Sequence, residues 1–547
     1  MLSPEEVARL FPTDLPDVSH WEQKYPARDL PDGAKVTRFA PSPTGFVHIG
    51  GVYVAMISKS VAHSTGGSYF VRIEDTDQVR EVAAAEEQFD RAFAYFDIAS
   101  DENDQNSPWG PYHQSDRGDI YLSYVRDLML RGLAYPCFND KEELAAITAE
   151  QNAKKAPTGY YGRWAIWRDA PDELVRERLA AGQPYVVRFR SPGDGERRVA
   201  YTDLIRGRIE HQDNRNDIVV LKTSALESRL PTYHLAHAVD DHLMRVNLVI
   251  RAEEWISSVP LHHQLFDALG FERIDYAHIA PLMKQEGGSR RKLSKRKDPE
   301  ASVDFYVEAG YPAEAILYYL RGLANGRLAE LPLDEANKQP ILISDCGVAG
   351  PLLDMVKLDD ISANYIAMLD TAEVLRRVQG WAEQYAPRIA DAITGEPDVA
   401  VRAVSVERVD TPNPRKDLKK WSDFEPVYGF FFERLFPLVT DPGDERFGGL
   451  PAALVSAVAA DFGAGYHELA EQPAWFEQIR SVAQKNGFAA SPKEAKADPQ
   501  KYPGAIREAA NVIRVLLTGS TRSPDLHAVA LALGPQEVQR RVGALAG

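Results

Sequence analysis

The pattern of apolar and polar positions near the start of the chain predicts a strand, a helix and a second strand in succession. AKVTRF (34–39) is β-like, and VYVAMISKSVAHS (52–64) has helical periodicity. SYFVRIED (68–75) alternates and is rich in β-formers, which predicts a second, parallel strand. An amphipathic helix is predicted next, over 78–96. This β-α-β-α order predicts a doubly wound parallel sheet.

The pattern changes twice further along the chain. From about 110 to 225, short helices and strands alternate irregularly, which predicts an α/β insertion within the sheet domain. Strand–helix alternation then resumes, and beyond about 300 nearly every periodic run is helical. The predicted organisation is an N-terminal extension (1–34) with one short helix at Pro4–Phe11, a first half of the sheet domain (35–110), the insertion (111–225), the second half of the sheet domain (226–285), a following domain (286–374) and a helical domain (375–547).

Composition limits the class of protein. The chain has 547 residues, which is too long for a single core, and its 44% hydrophobic and 26% charged residues are ordinary for a soluble globular protein. The N-terminus lacks the pattern of a secretory signal, and no apolar run reaches the roughly 18 residues of a membrane span. With Cys137 and Cys346 as the only cysteines, a disulfide framework and a cysteine-rich zinc site are excluded. We therefore expect a cytoplasmic protein.

The net charge of −17 argues against broad nucleic-acid binding but leaves room for a local basic track. Two basic clusters occur, KQEGGSRRKLSKRK (284–297) and RKDLKKW (415–421). Taken alone, either cluster fits a solvated loop or face better than a binding site.

Candidate chemistry first appears in RFAPSPTGFVHIGG (38–51), where a strand leads through a rigid turn to a helix N-terminus. Free N–H groups and a partial positive charge at such an end favour phosphate, and His48 could bind a phosphate oxygen, but taken alone the segment fits a structural turn with a core histidine better. The glycine spacing is neither that of a dinucleotide site nor that of a P-loop. A second candidate is RKLSKRKD (291–298), where two lysines three residues apart flank a serine and could form a cationic clamp.

Together these two motifs resemble the signatures of the class I aminoacyl-tRNA synthetases, here HIGG (48–51) and KLSKR (292–296). The blocks between them narrow the resemblance to the bacterial glutamyl-tRNA synthetase family. They are RFAPSPTG (38–45), VRIEDTD (71–77), PYHQSDRGDIY (111–121), AYPCF (134–138), LPTYHLAHAVDDHLM (230–244) and VIRAEEW (249–255). VIRVLLTGSTRSPDL (512–526) resembles that family's last helices, so the resemblance covers about residues 35–547.

The resemblance implies a Rossmann-like catalytic domain, an acceptor-stem-binding insertion, a stem-contact domain and a helical anticodon-binding domain. It also implies ATP-dependent activation of L-glutamate, with Mg²⁺ accompanying the ATP, and transfer of the glutamyl group to tRNA. The site residues that we assign are Arg38, Ser42, Glu74, Tyr233 and Arg251 for glutamate; His48, Gly50, Gly51, Glu254, Met283, Lys292, Ser294 and Lys295 for ATP, with His48, Lys292 and Lys295 catalytic; and Arg415, Lys416, Lys419 and Lys420 of the second basic cluster for tRNA.

Arg251 carries the prediction of substrate specificity. A carboxylate in a partly desolvated pocket requires a planar, permanently charged partner. An arginine at this position disfavours a neutral amide, and the related glutaminyl enzymes typically lack it. The sequence therefore favours glutamate over glutamine.

One departure from the family concerns zinc. Many members carry a zinc knuckle with a Cys-x-Cys after the AYP block, whereas Asn139 stands here where the second cysteine would be. We therefore expect no zinc and no other bound metal.

Alternatives remain open at the level of sequence. They are a glutaminyl-tRNA synthetase, a non-discriminating enzyme that also charges tRNA(Gln), a non-catalytic tRNA-binding paralogue, and a nucleotidyltransferase with a small-molecule acceptor. The intact His48, Glu74, Lys292 and Lys295 argue against the paralogue. The expected partners are tRNA(Glu), L-glutamate and ATP, without a membrane, and the expected state is a monomer.

Overall fold

The computed structural model of the protein describes residues 2–43, 46–77, 85–226, 229–408 and 411–545. The chain forms two compact units. Unit 1 comprises residues 1–305 and 317–353, and unit 2 comprises residues 306–316 and 354–547. The finer domain limits given above remain predictions.

The strands are β1 (Val36–Phe39), β2 (Ser68–Val71), β3 (Ala134–Cys137), β4 (Val186–Phe189), β5 (Arg198–Asp203), β6 (Gly207–Gln212), β7 (Val219–Leu221), β8 (Leu248–Ala252), β9 (Asp275–Ile279), β10 (Met283–Glu286) and β11 (Ser289–Lys292).

The α-helices are α1 (Pro4–Ala8), α2 (Val18–Lys24), α3 (Ile49–Ser64), α4 (Ala85–Tyr95), α5 (Gly118–Leu130), α6 (Lys141–Ala153), α7 (Asp172–Ala180), α8 (Tyr233–Leu243), α9 (Val259–Leu269), α10 (Val303–Ala309), α11 (Ala313–Ala324), α12 (Leu333–Ala336), α13 (Met355–Met368), α14 (Thr371–Tyr385), α15 (Pro387–Gly395), α16 (Pro397–Ser405), α17 (Phe424–Tyr428), α18 (Ala452–Gly465), α19 (Gln472–Lys485), α20 (Pro492–Ala497), α21 (Ile506–Thr518), α22 (Leu526–Leu533) and α23 (Pro535–Gly543).

Parallel pairing dominates the sheet that carries the site. β1 pairs in parallel with β2, and β8 pairs in parallel with β9. Asn247 joins the two pairs of strands. Its side-chain oxygen accepts a hydrogen bond from the Val36 N–H at 2.9 Å, and its backbone N–H donates to the Val36 carbonyl at 3.3 Å. The predicted α/β fold is therefore confirmed.

The sheet is nevertheless mixed. β5 and β6 form an antiparallel hairpin, and β5 joins β9 in parallel where Asp203 is opposite Tyr276. The residues of β5 alternate between exposed and partly buried until Asp203, which is buried. This burial pattern is typical of an exposed hairpin, and the hairpin lies inside the predicted insertion. Its pairing with β9 nevertheless makes it part of the sheet that contains β8 and β9. The remaining strands of the insertion, β3, β4 and β7, form a separate antiparallel sheet.

The N-terminal segment is an integral part of unit 1. The predicted helix at its start is confirmed as α1, which begins with a capping box between Ser3 and Glu6. Trp21 of α2 packs in the core shared with α5 and donates through its indole N–H to the Ser123 hydroxyl at 2.9 Å. The side chain of Tyr25 is fully buried. This segment therefore packs into the core of unit 1.

Two predicted elements are described in part. The strand expected over 68–75 ends at Val71 as β2. Of the helix expected over 78–96, residues 78–84 lie outside the described residues, and α4 forms the remainder.

Unit 2 is helical, as the periodicity predicts, and its core is built around residues such as Trp475, Phe462 and Leu516. Across both units, no helix in the described ranges is long and apolar enough to cross a membrane.

Candidate functional site

A cavity of about 490 Å³ lies in unit 1 at the carboxyl ends of β1 and β8. Ligands in open α/β sheets bind at this edge. Of the thirteen residues assigned to glutamate or ATP from the sequence, the cavity wall contains Arg38, Ser42, His48, Gly50, Gly51, Glu74, Tyr233, Arg251, Glu254, Lys292 and Lys295.

Met283 and Ser294 are not part of this wall. The backbone N–H of Met283 donates to the Pro351 carbonyl, and its own carbonyl accepts from the Leu353 N–H, both at 2.8 Å. The N–H of Ser294 donates to the Asp298 carboxylate at 2.9 Å. These two assignments therefore remain predictions without support from the geometry.

His48 caps the helix that begins behind the turn. Its Nδ1 accepts a hydrogen bond from the Gly50 N–H at 2.8 Å. A Cβ atom at residue 50 would lie only 2.8 Å from that same nitrogen, so glycine is required by the histidine ring itself. Burial, together with the charges of Lys295 and Lys292, lowers the pKa of His48 to about 4. His48 is therefore neutral at pH 7, and its remaining N–H is a hydrogen-bond donor.

A buried charge cluster forms the floor of the cavity. Asp241, on α8, accepts from Nη1 of Arg72 at 2.6 Å and from Nε of Arg38 at 3.3 Å. Arg72 also donates through Nη2 to Glu74 at 3.2 Å. Burial raises the pKa of Glu74 to about 6, although Arg72 and Arg38 oppose that change. Burial would likewise raise the pKa of Asp241, but the two arginines hold it well below its ordinary value.

Arg251 is buried in a different environment. Its Nε donates to Nε2 of His278 at 3.1 Å, and its Nη1 donates to the Tyr233 hydroxyl at 3.3 Å. Its Nη2 lies 3.4 Å from both the Trp255 carbonyl and Nδ1 of His262. Within the described residues every hydrogen-bond partner of Arg251 is neutral, so its charge is not paired with a carboxylate. A buried cation without a counterion is the arrangement expected where a ligand supplies the anion.

Lys292, Leu293 and Lys295 of the second motif also line the cavity. β10 and β11 form a hairpin that ends at Lys292. The ammonium of Lys292 is paired with Glu254, and both side chains are more than half exposed. Lys295 donates to the Phe46 carbonyl at 3.0 Å. The Lys292–Glu254 ion pair is exposed and therefore contributes little stability, so a stronger anionic partner could replace it.

Unit 2 contains a second cavity, of about 480 Å³, lined in part by Arg415, Arg446, Arg522 and Phe430. Arg415 pairs with Glu407 at 2.7 Å and also with Asp417. The other predicted tRNA contacts vary in their surroundings. Lys419 pairs with Asp359 at 3.1 Å, Lys420 lies 3.7 Å from Asp423, and Lys416 is exposed. Acidic neighbours therefore offset much of the charge in this basic cluster.

Cys137 lies at the end of β3, where the family resemblance placed a metal ligand. Its sulfur accepts from Nε of Arg188 at 3.3 Å, and its thiol lies 3.5 Å from the Asn139 side-chain oxygen. Among the described residues, no group of three or more histidine, cysteine, aspartate or glutamate side chains could hold a metal ion. The expectation that zinc is absent remains a prediction.

Sequence reasoning missed the residues that support the site. Asp241 lies in the block LPTYHLAHAVDDHLM. A carboxylate on the apolar, inward face of that helix indicates a buried ion pair, so this residue could have been found from the sequence. His278 and Asp203 lie on different strands, and no local pattern connects them.

The charge cluster yields a stability prediction. Asp241→Asn removes the carboxylate that Arg38 and Arg72 share, leaving two buried cations with less compensation. We expect the free energy of unfolding, measured by urea titration, to fall by about 3–5 kcal/mol. Asp267→Asn is the matched control, since its pair with Arg273 is about half exposed, and its expected cost is below about 1 kcal/mol. Equal costs for the two variants would contradict this description of the cluster.

The match to known proteins extends over the whole chain. Residues 35–331 match the family model described as tRNA synthetases class I (E and Q), catalytic domain. The glutamate–tRNA ligase of Clostridium perfringens strain 13 is 38% identical, covering 99% of this chain and 100% of that protein. The glutamate–tRNA ligase of Acetivibrio thermocellus is also 38% identical, covering 97% and 98%. A solved structure of a glutamate tRNA ligase from Elizabethkingia meningosepticum in complex with its amino acid is 26% identical, with a TM-score of 0.74 and coverage of 93% and 99%. The chain therefore belongs to the glutamate–tRNA ligase family of class I tRNA synthetases.

Proposed function

We propose that this protein is a glutamate–tRNA ligase, which activates L-glutamate with ATP and transfers the glutamyl group to the 3′ end of tRNA(Glu). The observation that carries the proposal is the buried, unpaired charge of Arg251 in a cavity that also holds a buried carboxylate, Glu74. An amino acid with a second carboxylate complements both charges. The names of the full-length relatives favour the same substrate over glutamine.

In the proposed binding mode, Arg251 pairs with the side-chain carboxylate of glutamate, together with Arg38. The Tyr233 hydroxyl lines the same pocket, and Glu74 accepts the substrate ammonium. Ser42, which is exposed on the cavity wall, is placed to donate a hydrogen bond to the amino acid.

In the proposed chemistry, an oxygen of the substrate α-carboxylate attacks the α-phosphorus of ATP. The bond to the bridging oxygen breaks, which releases pyrophosphate and leaves glutamyl-adenylate. Catalysis then consists of positioning and charge stabilisation. His48 and the N-terminus of α3 hold phosphate oxygens, and Lys292 and Lys295 neutralise the leaving pyrophosphate. Mg²⁺ enters with ATP as part of the substrate.

In the second step, a terminal ribose hydroxyl of tRNA attacks the acyl-adenylate and releases AMP. We propose that the cavity of unit 2 accepts an unstacked anticodon base, because guanidinium groups and an aromatic ring suit a base and its phosphates. Lys416, Lys419 and Lys420 would contact the backbone nearby. An enzyme that supplies translation with charged tRNA is proposed to act in the cytoplasm.

ATP–pyrophosphate exchange tests the proposed function. With tRNA present, we expect exchange that saturates with L-glutamate and is at most weak with L-glutamine, because the carboxamide leaves the Arg251 charge unpaired. The assay is run with each amino acid at equal concentration, with and without tRNA. Absence of exchange under all conditions would refute the catalytic proposal, and a preference for glutamine would refute the role of Arg251.

Lys295→Ala tests the phosphate clamp. A contact made mainly in the transition state lowers turnover more than ATP affinity. We expect the exchange kcat to fall by about 100-fold or more while the KM for ATP changes by less than about threefold. Lys297→Ala, which removes an exposed lysine of the same loop outside the cavity wall, is the control and should remain near wild type. A Lys295→Ala enzyme with normal kcat would show that the clamp is misassigned.

The ionisation of Glu74 gives a pH prediction. Because its pKa is raised to about 6 by burial, the protonated fraction grows as pH falls through 6, and a protonated carboxyl cannot pair with the substrate ammonium. We therefore expect kcat/KM for glutamate to decline below about pH 6, since this ratio reports the free enzyme. Glu74→Gln should lower kcat/KM at every pH and remove that inflection. An inflection that persists in Glu74→Gln would assign it to another group.

A further inference from the structure

His278 links the unpaired arginine of the pocket to a carboxylate on a different strand. Nε2 of His278 accepts from Nε of Arg251 at 3.1 Å, and Nδ1 of His278 lies 2.6 Å from Oδ2 of Asp203. The side chains of His278 and Asp203 are fully buried. Asp203 is the last residue of β5, and His278 lies in β9. Their contact therefore depends on the parallel pairing of β5 with β9.

The hydrogen bonds determine where the imidazole proton lies. A carboxylate accepts only, so Nδ1 of His278 carries the proton toward Asp203, and Nε2 presents its lone pair to Arg251. Asp203 is held in turn by the backbone N–H groups of Ile205 at 3.0 Å, Arg206 at 2.9 Å and His278 at 3.1 Å. Burial lowers the pKa of His278, so the ring is neutral at pH 7. Asp203 thus fixes the tautomer that Arg251 requires.

The other side of the guanidinium has an equivalent support. Nδ1 of His262 lies 3.4 Å from Nη2 of Arg251, and Nε2 of His262 lies 3.0 Å from Nδ1 of His234. Burial lowers the pKa of His234 to about 4 and that of His262 well below its ordinary value, so both rings are neutral. Arg251 is therefore held by two uncharged imidazoles.

This support differs from that of the neighbouring arginines. Arg38 and Arg72 both contact the Asp241 carboxylate. Arg72 also pairs with Glu74 at 3.2 Å and lies 3.8 Å from Asp240, so carboxylates of the protein lie against both of these arginines. At Arg251 the imidazole ring of His278 separates the guanidinium from the Asp203 carboxylate. The side chain is thereby oriented without being neutralised, and its charge remains available to a ligand.

We propose that His278 and Asp203 are positioning residues that give the pocket its preference for a side-chain carboxylate over a carboxamide. His278 orients the guanidinium of Arg251, and Asp203 holds the neutral tautomer of His278. This inference rests on the proposed function, because it concerns how the same pocket selects glutamate.

A pair of substitutions at His278 isolates the contact with Arg251. Asparagine reaches the Nδ1 position and keeps a donor toward Asp203, but it does not reach Arg251. Glutamine can place its side-chain oxygen where Nε2 lies and so keeps the acceptor for Arg251. In ATP–pyrophosphate exchange, we expect His278→Asn to raise the KM for glutamate about tenfold, with kcat little changed, and to reduce the preference for glutamate over glutamine. His278→Gln should restore most of both.

Asp203→Asn provides an independent measurement should His278→Asn fail to fold. Its carboxamide can donate to Nδ1, which moves the imidazole proton to Nε2, where it opposes the Nε–H of Arg251. The KM for glutamate should again rise with kcat preserved. In the Arg251→Ala background, neither substitution should have a further effect, because the contact through which it acts is already absent.

His242→Asn is the matched control. His242 also pairs with a carboxylate, Glu22 at 2.9 Å, at the far end of α8, and it is not part of the cavity wall. The substitution should leave the KM for glutamate and the amino-acid preference unchanged. If the wild-type protein exchanges with glutamate and His278→Asn and Asp203→Asn retain normal KM and preference, the positioning inference is overturned while the proposed function stands. If the wild type shows no exchange with glutamate, the proposed function itself fails.

Discussion

The pocket depends on how buried guanidinium charge is balanced. Removing an arginine from water is tolerated when a carboxylate or hydrogen-bond acceptors compensate for the lost hydration. The protein uses both solutions within one cavity. Asp241 contacts both Arg38 and Arg72, and Arg72 also pairs with Glu74, so carboxylates of the protein hold this side of the site. Among the described residues, the hydrogen-bond partners of Arg251 are neutral, and in the proposed binding mode the substrate carboxylate supplies the missing negative charge.

In the proposed binding mode, the same segment of chain serves the amino acid and the nucleotide. β1 ends at Phe39, immediately after Arg38, and α3 begins at Ile49, immediately after His48. The turn between them includes Gly45, which lies outside the described residues. His48 is neutral and directs its acceptor nitrogen to Gly50, so its N–H is the donor that we propose for phosphate. Only nine residues separate Phe39 from Ile49 in the sequence, which suits a reaction in which a carboxylate must approach a phosphorus atom closely.

Much of this architecture could be predicted from the sequence because its signals are local. The β1-turn-α3 unit follows from hydrophobic period and glycine placement, and the motif blocks placed Glu74, Tyr233 and Arg251 in one pocket, as found. What could not be predicted depends on pairing between distant segments. The pairing of β5 with β9 brings Asp203 to His278, but the hydrophobic pattern of neither strand indicates that the two strands pair. The opening segment shows one helix signal in a polar, proline-rich stretch, yet its Trp21 and Tyr25 are buried in the core of unit 1.

Equilibrium binding measures the central claim directly. Calorimetric titration of the wild-type protein with L-glutamate and L-glutamine, in the presence of a non-hydrolysable ATP analogue, compares two ligands that differ at the group facing Arg251. The unpaired guanidinium predicts that glutamate binds tighter by about tenfold or more. Equal affinities, or tighter binding of glutamine, would contradict the claim that the charge of Arg251 is reserved for a substrate carboxylate.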